Sequence, residues 1–156
     1  MKRKWTILLA LVLTLSLFCS SLSVSAAAGA CYTIGSYPFT ESQIQQLAYY
    51  WGRMGYSSWY TIEQGSSYIT STRLNSPVVA FYAHGNSASM TIRKDENSAA
   101  YLLTTGINNA SGTVVGLMSY TFPNNKLMIF GGCNTGAGSA NVVSTAIFQG
   151  SSSAIG

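Results

Sequence analysis

Two uninterrupted apolar segments, residues 78–83 and 127–131, dominate the hydrophobic pattern of the chain. Neither alternates with polar positions, which is typical of strands buried on both faces of a parallel sheet. A further strand is predicted at 59–64 and a short helix at 67–75. Together with the strand at 78–83, they would form a βαβ unit with a right-handed crossover.

Helical spacing occurs in two further places. Thr40 and Gln43 form the signature of a capping box, and the apolar positions after them follow one helix face until Gly55. A second helix is expected between a Ser139 cap and Gly150. Its predicted sheet-facing residues are Val142, Val143, Ala146 and Ile147. Alternating strands and helices predict an α/β fold with a mostly parallel sheet.

Other segments give less specific patterns. Residues 30–35 could form an edge strand or an extended arm, and 97–103 a strand or the start of a helix. Residues 114–120 could be helical or extended. A hairpin strand is expected at 89–93, followed by a solvated turn at 94–97.

The first 26 residues have the organisation of a Sec-type export signal. Basic residues occupy positions 2–4, an apolar core spans 7–18, and Val-Ser-Ala at 24–26 offers a cleavage site. The apolar core is too short to span a membrane. We therefore expect a signal peptide over 1–26, a single mature domain over 27–156, and a secreted protein without a stable membrane anchor.

The net charge also depends on this signal. The chain has eight Lys and Arg against four Asp and Glu, a formal charge of +4. Three of the basic residues belong to the signal, so the mature chain has five against four and a charge of +1. No basic patch remains, and nucleic acid is not expected as a partner.

Each of the two predicted apolar strands is followed by a residue that can take part in nucleophilic catalysis. The first is followed by His84-Gly85, which contains the single histidine of the chain, and the second by Gly132-Cys133, with Cys133 lying 49 residues after His84. Functional groups collect at the carboxyl ends of parallel strands, so we expect both side chains at one edge of the sheet. A thiol with a histidine as its base indicates a cysteine hydrolase.

A hydrophobic block ending in His-Gly, followed by a second ending in Gly-Cys, resembles the pattern of the caspase-like cysteine peptidases. This group includes caspases, legumains, gingipains, clostripain-like enzymes and CHAT domains. The resemblance covers residues 59–156. Residues 127–138, Leu-Met-Ile-Phe-Gly-Gly-Cys-Asn-Thr-Gly-Ala-Gly, are similar to the cysteine block of CHAT domains, and 146–156 resemble the helix and strand after it.

The resemblance implies a three-layer α/β fold, with helices on both faces of the sheet, and endopeptidase activity. Cys133 would attack the peptide carbonyl, and His84 would activate the thiol and then protonate the leaving amine. The backbone N–H groups of Gly85 and Cys133 would stabilise the oxyanion. Asn86 and Asn134 are candidates to line the cleft or orient His84. The partner would be a peptide or protein substrate, with no cofactor and no metal.

The glycines near these residues are interpreted as points of close approach to the substrate. A side chain at Gly85 would crowd the scissile carbonyl, and Gly131, Gly132 and Gly136 flank Cys133. Members of the family that cleave after Arg or Lys use an acidic pocket residue. No Asp or Glu follows Glu96, so a basic substrate preference is unsupported.

Non-catalytic interpretations stay open from the residues alone. Cys31 and Cys133 could form a disulfide or be two buried thiols. His84 could be a strand-end histidine that is hydrogen-bonded to a loop. The chain could be an inactive secreted interaction or binding domain, and the aromatic residues at 49–51 and 59–60 keep a carbohydrate-binding module open.

Two other classes lack support in the sequence. The nucleophile elbow of α/β-hydrolases needs glycine at position 135, where this chain has Thr135, and a histidine after the nucleophile. One histidine and isolated cysteines do not form a metal-ligand pattern. The final predicted strand has barely begun at Gly156, so we expect a peptidase domain that is incomplete at its C-terminus.

Overall fold

The computed structural model describes residues 29–94 and 100–156. Its elements follow in the order β1 (Ala30–Gly35), α1 (Glu41–Arg53), β2 (Ser57–Ile62), a 3-10 turn (Gly65–Tyr68), α2 (Ser71–Leu74), β3 (Val78–Tyr82), β4 (Ser89–Lys94), β5 (Ala100–Thr104), β6 (Val114–Gly116), a second 3-10 turn (Leu117–Ser119), β7 (Leu127–Gly131), α3 (Val142–Phe148) and β8 (Ala154–Ile155). The proposed export signal at 1–26 lies outside the described residues.

Five strands form the main sheet, in the order β2-β1-β3-β7-β8, and every neighbouring pair is parallel. The predicted α/β class with a mostly parallel sheet is therefore confirmed. The two apolar segments form adjacent central strands, β3 and β7. Both carry buried residues with no consistently polar face, as expected for strands covered on both sides.

The segment at 30–35 is a strand, but both predicted alternatives, an edge strand and an extended arm, are wrong. β1 lies between β2 and β3, with Cys31 and Thr33 buried on one face and Ile34 on the other. Burial on both faces is typical of an internal strand. The polar Thr33 interrupts the apolar pattern, so the sequence did not indicate this burial. Because β1 lies between them, the predicted unit of β2, helix and β3 crosses over a strand.

Helices cover both faces of the sheet. Ile44 of α1 packs directly over Gly35, where a Cβ atom would meet the isoleucine side chain at 2.3 Å. On the opposite face, Val142 and Ala146 of α3 join the main core cluster with Phe130. The pleat of the strands separates these two sets of contacts, because successive side chains point to opposite faces.

The start of α1 follows the sequence prediction, whereas the start of α3 does not. Thr40 and Gln43 form the expected capping box. α3 is capped by Asn141 rather than Ser139, and its side chain accepts a hydrogen bond from the backbone N–H of Ser144 at 2.8 Å. Ile147, expected to face the sheet, is 46% exposed. Val142 and Ala146 are buried and Val143 packs partly buried against the core, as predicted.

The region between β3 and β7 contains a separate three-stranded sheet, ordered β4-β5-β6. β4 and β5 are antiparallel, as predicted for a hairpin, although its turn at 95–99 lies outside the described residues. The ambiguous segment at 114–120 is extended in β6 and then forms a 3-10 turn. Buried Met90, Ile92 and Leu103 join this sheet to the core of the main one.

The helix predicted at 67–75 is divided into a 3-10 turn and the four-residue α2, which Thr70 caps. Among residues 29–94 and 100–156, no helix has the combined length and apolarity needed to cross a membrane.

Candidate active site

The pairing of β3 with β7 brings the two sequence blocks together. Tyr82 is in register with Gly131, so His84 and Cys133 each lie two residues beyond a matched pair. Neighbouring strands are separated by about 4.8 Å. The two residues therefore leave the same edge of the sheet from adjacent strands.

A cavity of about 470 Å³ opens at this edge, and both residues line it. The rest of its wall comes from the loop after β1 and from the ends of β3 and β7. Its lining residues are Pro38, Phe39, Tyr82, Ala83, His84, Phe130, Gly131, Gly132, Cys133 and Gly156. The cysteine and the histidine thus line one concavity.

The backbone of His84 is fixed, whereas its ring is exposed. The His84 N–H donates to the Tyr37 carbonyl at 3.0 Å, and the His84 carbonyl accepts from the Thr91 N–H at 2.8 Å. The imidazole lies beside the Tyr37 ring, with 5.2 Å between centroids. In the described part of the chain, neither ring nitrogen has a hydrogen-bond partner. The ring is therefore not hydrogen-bonded to the Cys133 thiol in this structure.

Cys133 lies in a tight loop held by buried side chains. Its own side chain is exposed. The Thr135 hydroxyl, fully buried, donates to the Phe130 carbonyl at 2.7 Å. The Asn141 amide donates to the carbonyls of Gly136 and Gly138, at 3.1 and 2.6 Å. These contacts fix the loop and leave the thiol at its surface.

The backbone N–H groups proposed for the oxyanion are available. Gly85 forms an isolated antiparallel bridge with Met90, in which the hydrogen bonds are made by the flanking residues. Across the described ranges, neither the Gly85 N–H nor the Cys133 N–H donates to a protein acceptor. Both groups could therefore donate to a bound molecule, although Gly85 does not line the cavity.

Three of these glycines serve internal packing, and their role as points of substrate approach stays a prediction. A Cβ at Gly85 would lie 3.0 Å from the Met90 side chain, and one at Gly132 would lie 2.9 Å from the Ala83 carbonyl oxygen. At Gly131 it would meet the Tyr82 ring at 2.4 Å. The missing side chains let the loops after β3 and β7 pack against each other.

The two asparagines are placed differently from the histidine and cysteine. The Asn86 side-chain oxygen accepts from the backbone N–H groups of Ala88 and Ser89, each at 2.9 Å, and so closes its own turn. Asn134 adopts a left-handed backbone conformation with φ of 56°. Neither lines the cavity. The structure thus supplies a local role for Asn86, and the orientation of His84 by either residue stays a prediction.

The disulfide between Cys31 and Cys133 is excluded by the sheet. Cys31 is in register with Leu127 through Val78, and the end of β7 lies four residues, or about 13 Å, further along. Disulfides require Cα atoms within about 7 Å. Both thiols are free, one buried and one exposed, so the interpretation as two buried thiols is also wrong. Burial raises the pKa of the Cys31 thiol to about 12.

Sequence reasoning missed the residues that shape and support the site. Pro38, Phe39 and Tyr82 form its apolar wall, and Thr135 fixes the cysteine loop. The available signal was the loop at 36–40, which follows β1. Had β1 been placed beside β3, this loop would have been expected at the same edge of the sheet.

Comparisons with protein-family models, with curated protein sequences and with solved structures found no match to this chain.

Proposed function

We propose that this chain is a secreted cysteine endopeptidase that resembles the caspase-like group, with Cys133 as nucleophile and His84 as base. The observation that carries the proposal is their matched position. Both follow paired, adjacent strands at the same offset, and both line one cavity. The export signal proposed at 1–26 supports secretion, and peptides or proteins are the proposed substrates.

The chemistry follows from the groups at this edge. His84 takes the thiol proton as the Cys133 sulfur attacks the peptide carbonyl, and a C–S bond forms. The backbone N–H groups of Gly85 and Cys133 stabilise the negative charge on the carbonyl oxygen. His84 then returns the proton to the leaving amine as the C–N bond breaks. Water hydrolyses the acyl-enzyme and restores the thiol. These steps require no cofactor.

One observation favours a second candidate, a secreted binding domain without catalysis. A catalytic histidine is ordinarily oriented by a hydrogen bond from its second ring nitrogen. Within the described residues, the His84 imidazole makes a ring contact with Tyr37 and no hydrogen bond. A domain that retains the fold as a binding surface would not need that orientation.

A cleavage profile distinguishes the two candidates. The purified exported protein is incubated with a diverse mixture of peptides, and new peptide termini are identified by mass spectrometry. The endopeptidase proposal predicts new termini with the natural protein and none with Cys133→Ala. No new termini with either protein, both shown to be folded by circular dichroism, would leave the binding domain as the better proposal.

A further inference from the structure

The cavity beside the thiol has an apolar wall. Pro38, Phe39 and Tyr82 are its accessible apolar side chains, and the buried Ala83 and Phe130 complete it. No Asp, Glu, Lys or Arg is among its lining residues in the described part of the chain. A charged side chain entering this space would lose its hydration without gaining a counter-charge, which is energetically costly.

Tyr82 belongs to this apolar wall despite its hydroxyl group. Burial raises the pKa of Tyr82, so the phenol is neutral at physiological pH. Its ring makes an edge-to-face contact with Phe39, with 5.8 Å between centroids. The two rings therefore form a continuous aromatic surface.

The acidic residue at this edge of the sheet is held outside the cavity. Glu63 follows β2, and its carboxylate accepts from the Ser36 hydroxyl at 2.9 Å and from the Tyr37 N–H at 2.7 Å. These contacts attach it to the loop after β1. Glu63 does not line the cavity, so it does not provide a counter-charge for a basic substrate side chain there.

We infer that the cavity binds a bulky uncharged side chain, aromatic or branched aliphatic, of the peptide residue whose carbonyl Cys133 attacks. This inference rests on the proposed function, because it places the substrate beside the thiol. The volume of about 470 Å³ falls in the range of small-ligand sites, about 300–1,000 Å³. Burying one large apolar side chain corresponds to a preference of about 10- to 100-fold.

Directed alkylation tests side-chain selectivity without requiring turnover. Three acetyl-amino-acid chloromethyl ketones, with side chains of Phe, Asp and Lys, are compared for the rate at which they label Cys133. In each case the sulfur displaces chloride to form a thioether, and the thiol proton passes to solvent. Rates are divided by that of iodoacetamide, which has no side chain to place. We expect the Phe reagent to be at least about tenfold faster than the other two.

A charge placed in the wall sharpens the test. Phe39→Glu is expected to slow the Phe reagent by about tenfold and to make the Lys reagent the fastest of the three. Tyr49→Glu is the matched control, because Tyr49 is an exposed aromatic of α1 that does not line this cavity. It should leave the order of rates unchanged. If Phe39→Glu does not fold, Phe39→Ala replaces it and should slow the Phe reagent at least about threefold.

The outcomes separate this inference from the proposed function. Equal normalised rates for the three reagents, or a preference for Asp or Lys in the natural protein, would overturn the apolar pocket. Selective labelling by the Phe reagent without any peptide hydrolysis would preserve the pocket and refute the endopeptidase. Hydrolysis after charged residues would support the endopeptidase and overturn the apolar pocket.

Discussion

The two ends of the parallel sheet place a cysteine thiol in opposite environments. At the amino end, the Cys31 thiol is completely buried between neighbouring strands, and burial raises its pKa to about 12. At the carboxyl end, Cys133 is exposed on a loop and lines the same cavity as the single histidine. The position of each cysteine in the sheet therefore determines whether its thiol is accessible to reagents.

The largest expected difference between the two ends is in catalysis. Cys133→Ala should lower the rate of peptide hydrolysis by at least about a thousandfold, because the nucleophile is lost. Cys31→Ala should leave kcat/KM within about twofold, since Cys31 lies at the other end of the sheet. Kinetics on a peptide with a Phe side chain before the scissile bond measure both. A similar loss in the two variants would mean that the assay reports folding.

Alkylation gives the next largest contrast. In the folded protein at neutral pH, iodoacetamide should label Cys133 at least about 100-fold faster than Cys31, because alkylation of Cys31 requires the sheet to open. Peptide mapping after timed quenching measures the two rates. In concentrated urea the rates should converge.

His84→Ala tests whether the histidine activates the nearby thiol. It should slow the labelling of Cys133 at neutral pH and leave the labelling of Cys31 unchanged, since His84 neighbours only the carboxyl-end thiol. Equal effects on the two cysteines would contradict a specific pairing of His84 with Cys133.

Two buried threonines differ in hydrogen bonding, so their hydroxyl groups should contribute differently to stability. The Thr135 hydroxyl donates to the Phe130 carbonyl, whereas the Thr33 hydroxyl has no hydrogen-bond partner within the described residues. Thr135→Val should lower the free energy of unfolding by about 1–3 kcal/mol, and the isosteric Thr33→Val should leave it unchanged or raise it by about 1 kcal/mol. Urea denaturation of both variants checks the difference, and equal losses would contradict it.

The smallest effect is a pH dependence that originates at the amino end. The folded state retains the Cys31 proton up to about pH 12, while the unfolded chain releases it from about pH 9. Above pH 9 the unfolded state binds fewer protons, so stability falls as pH rises through this window and is unaffected below it. The slope from this group is at most about 1.4 kcal/mol per pH unit. Urea titrations at pH 8, 9 and 10 should show a shallower decline in Cys31→Ala, and an identical decline would contradict the assignment.

Local signals in the sequence predicted the elements that depend on neighbouring residues. The uninterrupted apolar runs predicted β3 and β7, and the Thr40 capping box predicted the start of α1. The prediction that His84 and Cys133 share one edge followed from the polarity of parallel strands and required no strand order. These features are encoded within short windows of the chain.

The positions of strands and loops that depend on distant residues could not be predicted from such short windows. The internal position of β1 depends on pairing with β2 and β3, and without it the cavity wall at Phe39 could not be anticipated. The cap of α3 likewise depends on the path of the preceding loop. Asn141 both caps the helix and donates to the carbonyls of Gly136 and Gly138, a double role that Ser139 does not have.

The pairing of β3 with β7 also determines the stage of folding at which the proposed catalytic pair forms. His84 and Cys133 are 49 residues apart, and these strands can pair only after the whole intervening segment has been enclosed. Contacts of such large sequence separation form slowly, because the entropy of loop closure is lost before pairing compensates for it. In a chain that has not yet folded, the thiol and the imidazole are therefore apart. Under the proposed function, peptidase activity would be acquired only when β3 and β7 pair.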